Sequence, residues 1–331
     1  MHTVTALISR RCRPFVASAV LVSTLAIALV SYTPAASGHE GASARFTQTH
    51  SLGSHPGVRP SYGWPIKPFN RQHPVRAYLN DPRNGHGDAK SFHFGIDISA
   101  PDGTAVYAVE AGQVFLKRGR MTIAVKKTTQ TFGYWHVMPA VRDHQIVRLH
   151  QLLGHICSND GGGQHVHLAE RRGSEYLNPL RRGGIGPYVD RTPPTVASVE
   201  FFRNGNAVDA DALTGRVDIV VEAFDTTPML VPAPWSGLPV TPARIRWSIA
   251  RAPLRTAVDL SRSMLPARLY DSVYAAGTKQ NYVGDPGHYR FYLAHRFDAS
   301  KLPTRPCRLR IETIDTRGNR TVAQLEIARA V

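Results

Sequence analysis

Two histidine-bearing stretches hold residue types that could do chemistry together. In SFHFGIDISAPDG (91–103) His93 stands four residues before Asp97, and in GGGQHVHLAERRG (161–173) His165 and His167 flank a single valine. With 15 histidines in 331 residues, an isolated H-x-H is expected about once by chance, so context must decide its meaning. HVHLAE alternates like a strand, which puts His165 and His167 on one face, about 7 Å apart. A pair of exposed strand histidines would look the same. Residues four apart in an extended chain are about 13 Å apart, too far to share an ion, so His93 and Asp97 need a bend between them. Gly95 is placed to supply a turn.

A zinc centre that does chemistry takes three protein ligands and keeps one position open. His93, Asp97 and one of the H-x-H histidines make such a set. Two neutral imidazoles and one carboxylate leave the ion with net positive charge, which acidifies a bound water and polarises a carbonyl. The spare histidine then suits a general base, because its ordinary pKa lies near working pH. The H-E-x-x-H helix of many metalloproteases is absent from the sequence, so here histidine would replace its glutamate base.

The elements that must position these residues read as strands. From about residue 62 to 189 the chain is glycine-rich, with short alternating runs such as TAVYAVEAGQVFLKR, MTIAVKK, FGYWHVM and QIVRLHQLLGHI. No long amphipathic helical segment interrupts them. DRTPPTV (190–196) then biases the backbone to an extended, unpaired form, as at a domain boundary. Further alternating runs follow, from VASVEFF to CRLRIETIDTRGNRTVAQLEIA, where Gly318 and Asn319 can take positive φ in a hairpin turn. Residues 190–331 therefore read as a β-sandwich of immunoglobulin or fibronectin type.

Ahead of both lies an export pattern. Arg10, Arg11 and Arg13 precede an apolar run over 15–32, and the small residues 35–38 offer cleavage after Ser37. Residues 1–37 read as a signal, with an uncleaved membrane anchor as the alternative. Residues 38–61, rich in Gly, Ser, His and Thr, read as a flexible linker. The expected location is outside the cytoplasm, in the periplasm, the cell wall or the medium, with membrane contact only if the signal is retained. Cys12 would leave with the signal; the oxidising compartment would permit Cys157 and Cys307 to pair. The net charge of +16 suits an anionic partner such as an acidic lipid or an acidic wall polymer, or simply a basic solvated surface; the basic residues are scattered and no nucleic-acid motif is present.

H-x-x-x-D followed by Y-x-H (134–136) and then H-x-H resembles the lysostaphin-type zinc metalloendopeptidases of bacterial cell walls. HFGIDISAPDGTAVYAVEAGQV is similar to the family's first block, YWHV and LLGHI to its middle, and GGGQHVHLAE to its last. The resemblance covers about 64–179. It implies an antiparallel-sheet metallopeptidase domain over 62–189 and one zinc ion on His93, Asp97 and His167. It further implies catalytic roles for His136 and His165, which would orient water and stabilise the tetrahedral intermediate, and a peptidoglycan peptide or other peptide as substrate. Gln164, Leu168 and the glycine-free loop PAVRDHQIVRLHQ depart from the family pattern. A non-catalytic wall-binding or hydrolase-regulating protein on the same fold is the alternative. His144, His150 and His155 read as surface or packed residues. His86, Asn80 and Asp81 read as loop residues in contact with solvent. Tyr134 is expected to share a strand face with His136.

Overall fold

The computed structural model describes residues 46–53, 58–85, 89–117, 121–157 and 164–330. The export signal, Cys12, His86 and the glycine run at 161–163 lie outside the described residues. The chain is mainly β and antiparallel. Its helical content among the described residues is a single turn of α-helix, Tyr270–Val273, with 3-10 turns at Ala267–Leu269 and Ala299–Lys301. No helix among the described residues is long and apolar enough to cross a membrane.

The first half is organised by an eight-stranded sheet. Its successive strands Gly112–Leu116, Thr122–Lys127 and Gln130–Trp135 pair as a meander. His165–Arg172 then inserts between Gln130–Trp135 and Ile96–Ser99, and Val75–Ala77 closes that side. Being central, His165–Arg172 is covered on both faces, and every residue from His165 to Glu170 is buried. That is why its apolar alternation is broken by polar residues that must find partners inside. Glu170, fully buried, does so through the paired guanidinium nitrogens of Arg181 at 2.6 and 2.7 Å and the Tyr62 hydroxyl at 2.7 Å. A three-stranded sheet of Val137–Pro139, Leu152–Ile156 and Ala105–Tyr107 contributes to the same apolar core.

In the second half, a four-stranded sheet (Asn206–Val208, Thr195–Arg203, Arg216–Phe224, Arg290–Asp298) and a five-stranded sheet share one core. The five-stranded sheet runs Thr47–Ser51, Arg320–Ile327, Cys307–Ile314, Arg244–Ile249, Arg255–Asp259. Its first strand corrects the linker reading: Thr47–Ser51 pairs antiparallel with Arg320–Ile327. The run TQTHS is wholly exposed and polar, so its composition gave no strand signal; backbone pairing at a free sheet edge holds it. The hairpin expected at DTRGN forms, with Gly318 at φ +88°. Asn319 is not left-handed there. Its backbone N–H donates to Asp315 Oδ1 at 2.9 Å, and its side-chain amide donates to Asp190 O at 3.0 Å. Cys307 carries a free thiol, so it does not pair with Cys157.

The two halves interlock around 76–94. Phe92 is buried in the second core, against Tyr270 and Tyr274, while Val240 is buried in the first. Asn80, at φ 70° and fully buried, donates to Ser263 O and accepts from Leu265 N, both at 2.9 Å. Asp81 accepts from Thr241 N and Tyr78 N at 2.8 Å. These two residues therefore fasten the halves together, in place of the solvent contact expected of them. Their sequence lacks a signal for this because the partners come from about 160 to 190 positions away.

Candidate metal centre

His93 follows the short strand Ser91–Phe92 and is set by backbone bonds on both sides, its N–H to Asp81 O at 2.9 Å and its carbonyl from Asn80 N at 2.8 Å. Asp97 on Ile96–Ser99 lies directly opposite His167 on His165–Arg172. Cross-strand partners share a face, so register alone brings these two side chains together. The three groups then converge. His167 Nδ1 lies 2.9 Å from Asp97 Oδ1 and 2.9 Å from His93 Nε2, and His93 Nε2 lies 3.2 Å from Asp97 Oδ1.

Gly95 makes this possible, though by a different route from the expected turn. Its φ is not in the left-handed region; instead a Cβ there would lie 2.4 Å from Leu168 O and 2.7 Å from His167 Nε2. The His167 ring occupies the space a side chain would fill.

The protonation pattern is set by neighbours. His93 Nδ1 faces Tyr78 O at 2.8 Å, and a carbonyl only accepts, so Nδ1 carries the hydrogen and Nε2 points a lone pair into the group. Burial lowers the pKa of His93, and burial lowers that of His167 to about 4 against the pull of Asp97. Burial alone would raise the Asp97 carboxyl; His93, His165 and the hydrogen bond from His167 outweigh it and hold it well below the usual range. Arg83 adds a cation 3.8 Å from Asp97 Oδ2. Two neutral imidazoles and one carboxylate are the protonation states that metal binding requires.

The residues fit a zinc ion. Three ligands of a tetrahedral zinc lie roughly 3.3 Å apart, close to the separations here. His167 Nε2 is buried against Gly95 without a hydrogen-bond partner, so the ring meets the group through Nδ1. One hydrogen on Nδ1 can serve only one of the two short contacts, whereas a cation among the three atoms serves all of them.

The other histidines divide clearly. His165, buried on the same strand face, has its Nε2 3.5 Å from Asp97 Oδ1, and its Nδ1 meets Arg76 Nη2 at 2.8 Å. His136 lies just past the end of Gln130–Trp135 at φ 61°, with its ring 4.3 Å from that of His165. Leaving the strand separates it from Tyr134, which is fully buried and accepts from Val109 N at 2.9 Å. His144 packs on Phe115, His150 stacks on Phe69 at 3.9 Å, and His155 is an exposed strand residue. Phe94, Trp135 and Tyr176 form an aromatic wall beside His167, with Phe94 at 4.3 Å and Trp135 at 5.0 Å from its ring. This wall, Arg76 and Arg83 went unread in the sequence, because they come from separate segments with no fixed spacing.

Residues 91–179 match the model of peptidase family M23. The likeness lies in that segment. It carries His93, Asp97, His136, His165 and His167, and it bears out the resemblance to the lysostaphin-type family. Similar solved structures include a zinc-containing peptidase from Vibrio cholerae, 19% identical with a TM-score of 0.32, covering 37% of this chain and 39% of that one. The catalytic domain of a prophage-encoded M23 protein from Enterococcus faecalis is 27% identical with a TM-score of 0.29, covering 38% and 98%. The catalytic domain of lysostaphin from Staphylococcus simulans is 16% identical with a TM-score of 0.25, covering 41% and 90%. No curated protein matches the chain.

Proposed function

We propose that the protein is an exported zinc metalloendopeptidase that hydrolyses peptide bonds in peptidoglycan. The observation that carries this reading is the convergence of His93 Nε2, Asp97 Oδ1 and His167 Nδ1 within the segment that matches family M23. These three atoms would hold the ion. A bound zinc supplies a Lewis acid that acidifies water and polarises the scissile carbonyl. His165 and His136 stand beside the ligands as the pair that orients water and stabilises the developing oxyanion. Phe94, Trp135 and Tyr176 offer an apolar wall against which a peptide can lie.

Export rests on the basic, apolar and small-residue order of the first 38 positions. The net charge of +16 would hold the enzyme on acidic wall polymers, more weakly as salt rises. The second half, with two antiparallel sheets over one core, supports the immunoglobulin or fibronectin reading. Hydrolysis adds hydroxyl to the carbonyl carbon and hydrogen to the departing nitrogen, so each cut yields one new amino group. Purified mature protein should release amino groups from purified peptidoglycan. The release should stop with a chelator, return with zinc, and be absent in His93→Ala. Zinc bound at one equivalent with no release from any wall preparation would reject catalysis in favour of the non-catalytic wall-binding alternative.

A further inference from the structure

Arg76 belongs to no motif, yet it is the one buried arginine among the described residues, 6% exposed on the closing strand Val75–Ala77 of the large sheet. Its Nη2 lies 2.8 Å from His165 Nδ1. A guanidinium has only donors and keeps its protons at any ordinary pH. The ring nitrogen it touches must therefore be the acceptor, and the hydrogen of a neutral His165 must sit on Nε2. That nitrogen is the one turned toward the metal group, 3.5 Å from Asp97 Oδ1. The guanidinium is itself held from the other half of the molecule. Trp235, in the loop between Arg216–Phe224 and Arg244–Ile249, places its ring 4.2 Å from the Arg76 guanidinium carbon. A cation over an indole face is attracted by the ring quadrupole, more strongly when partly desolvated.

We propose that Arg76 is a positioning residue that locks His165 as the Nε2–H tautomer, with Trp235 of the C-terminal half clamping Arg76 in place. The proposal rests on the metallopeptidase reading for its catalytic consequence, but the tautomer lock does not. His165 is then a fixed hydrogen-bond donor turned toward the ligand group. Its Nδ1 lone pair is occupied by Arg76, so what it presents to the group is an N–H suited to an oxyanion. The C-terminal half thereby becomes part of the active site, where a spacer or a wall anchor would leave Arg76 untouched. Positioning of this kind through a neighbouring group typically changes activity by about 10–100-fold.

The test reads the tautomer directly. Long-range nitrogen–proton spectra of uniformly labelled protein, metal-free and zinc-loaded, should show His165 protonated at Nε2 with a bare Nδ1 in both. Arg76→Met should lose that signature and mix the two tautomers, and Arg76→Lys, which keeps a cationic donor, should restore part of it. Trp235→Ala, a change in a surface loop, should weaken it without unfolding the chain. On peptidoglycan, Arg76→Met should lower kcat by about 10–100-fold with KM little changed, and Trp235→Ala by less. An Nδ1–H signature in the wild type, or an unchanged spectrum in Arg76→Met, overturns the proposal. If the wild type shows the Nε2–H signature but no turnover, the lock stands and the peptidase reading falls.

Discussion

Among the described residues, two buried groups of three potential ligands stand out, and they behave in opposite ways. His93, Asp97 and His167 meet in the large sheet; Asp190, Asp225 and Asp315 meet where the chain passes into the second half. All six side chains are buried, and within each group one ligand atom per residue lies within 4.8 Å of the others. In the first, imidazoles surround a single carboxylate and hold Asp97 well below its ordinary pKa. In the second, burial and the charges of Asp190 and Asp315 raise Asp225 well above it, and Asp315 is raised to about 6. Burial is common to both, so burial does not decide the outcome. The composition of the cluster does: mixed donors stay ready for a cation, and three like charges favour a shared proton.

The sharpest way to break the contrast is to remove a ligand from the mixed group. His167→Ala should abolish stoichiometric zinc binding, measured by calorimetry, and reduce peptidoglycan turnover on the order of a thousandfold. Wild type loaded with zinc at a hundred times its Kd should gain about 2.7 kcal/mol of stability, read as a higher Tm, and the variant should gain none. An equal gain in both would place the metal elsewhere.

Gly95→Ala attacks the same group through the backbone. The new methyl would press on Leu168 O and on His167 Nε2, and one of those atoms is main chain and cannot move freely. A destabilisation of about 1–3 kcal/mol is expected, with weaker zinc binding, because the His167 ring must tilt away from Asp97. Thermal melts with and without zinc separate the two effects. Unchanged zinc affinity in a folded Gly95→Ala protein would mean that the ring has room that the present packing denies it.

These residues also show how much the sequence disclosed. H-x-x-x-D and H-x-H were readable because each pair is local, and because strand alternation fixes which residues share a face. The meeting of Asp97 and His167 was legible only through the family resemblance, since spacing does not give the register between strands about 70 residues apart. The same limit hid Arg76 beside His165 and Asn80 among residues of the second half. Thr47–Ser51 escaped for a different reason: an exposed edge strand buries nothing, so it leaves no apolar pattern. The acidic group was hidden most deeply. Asp190 looked like part of a proline break and Asp315 like the start of a turn, and both readings are locally sound. Asp190 accepts from Thr192 N and Asp315 from Arg317 N, each as a turn residue would. Only the fold reveals that the two carboxylates meet.

The smallest effect expected is the one that tests the acidic group. Asp225 is 1% exposed, and its Oδ1 accepts from Thr226 N at 2.8 Å. An acid whose pKa is raised on folding is bound to its proton more tightly in the native state. Its stabilising contribution is complete below the unfolded pKa and is lost as pH rises through the folded value. Asp315 should impose such a loss between about pH 4 and pH 6, and Asp225 extends it to higher pH. Asp225→Asn keeps the shape and removes the charge. It should therefore raise stability by about 1 kcal/mol at pH 8, roughly 1–2 °C in Tm, and change little at pH 4. His167→Ala has no reason to show this pH dependence. If instead Asp225→Asn is less stable than wild type at pH 8, the ionised carboxylate is useful where it stands. The three aspartates would then resemble the histidine–aspartate group more closely than their like charges suggest.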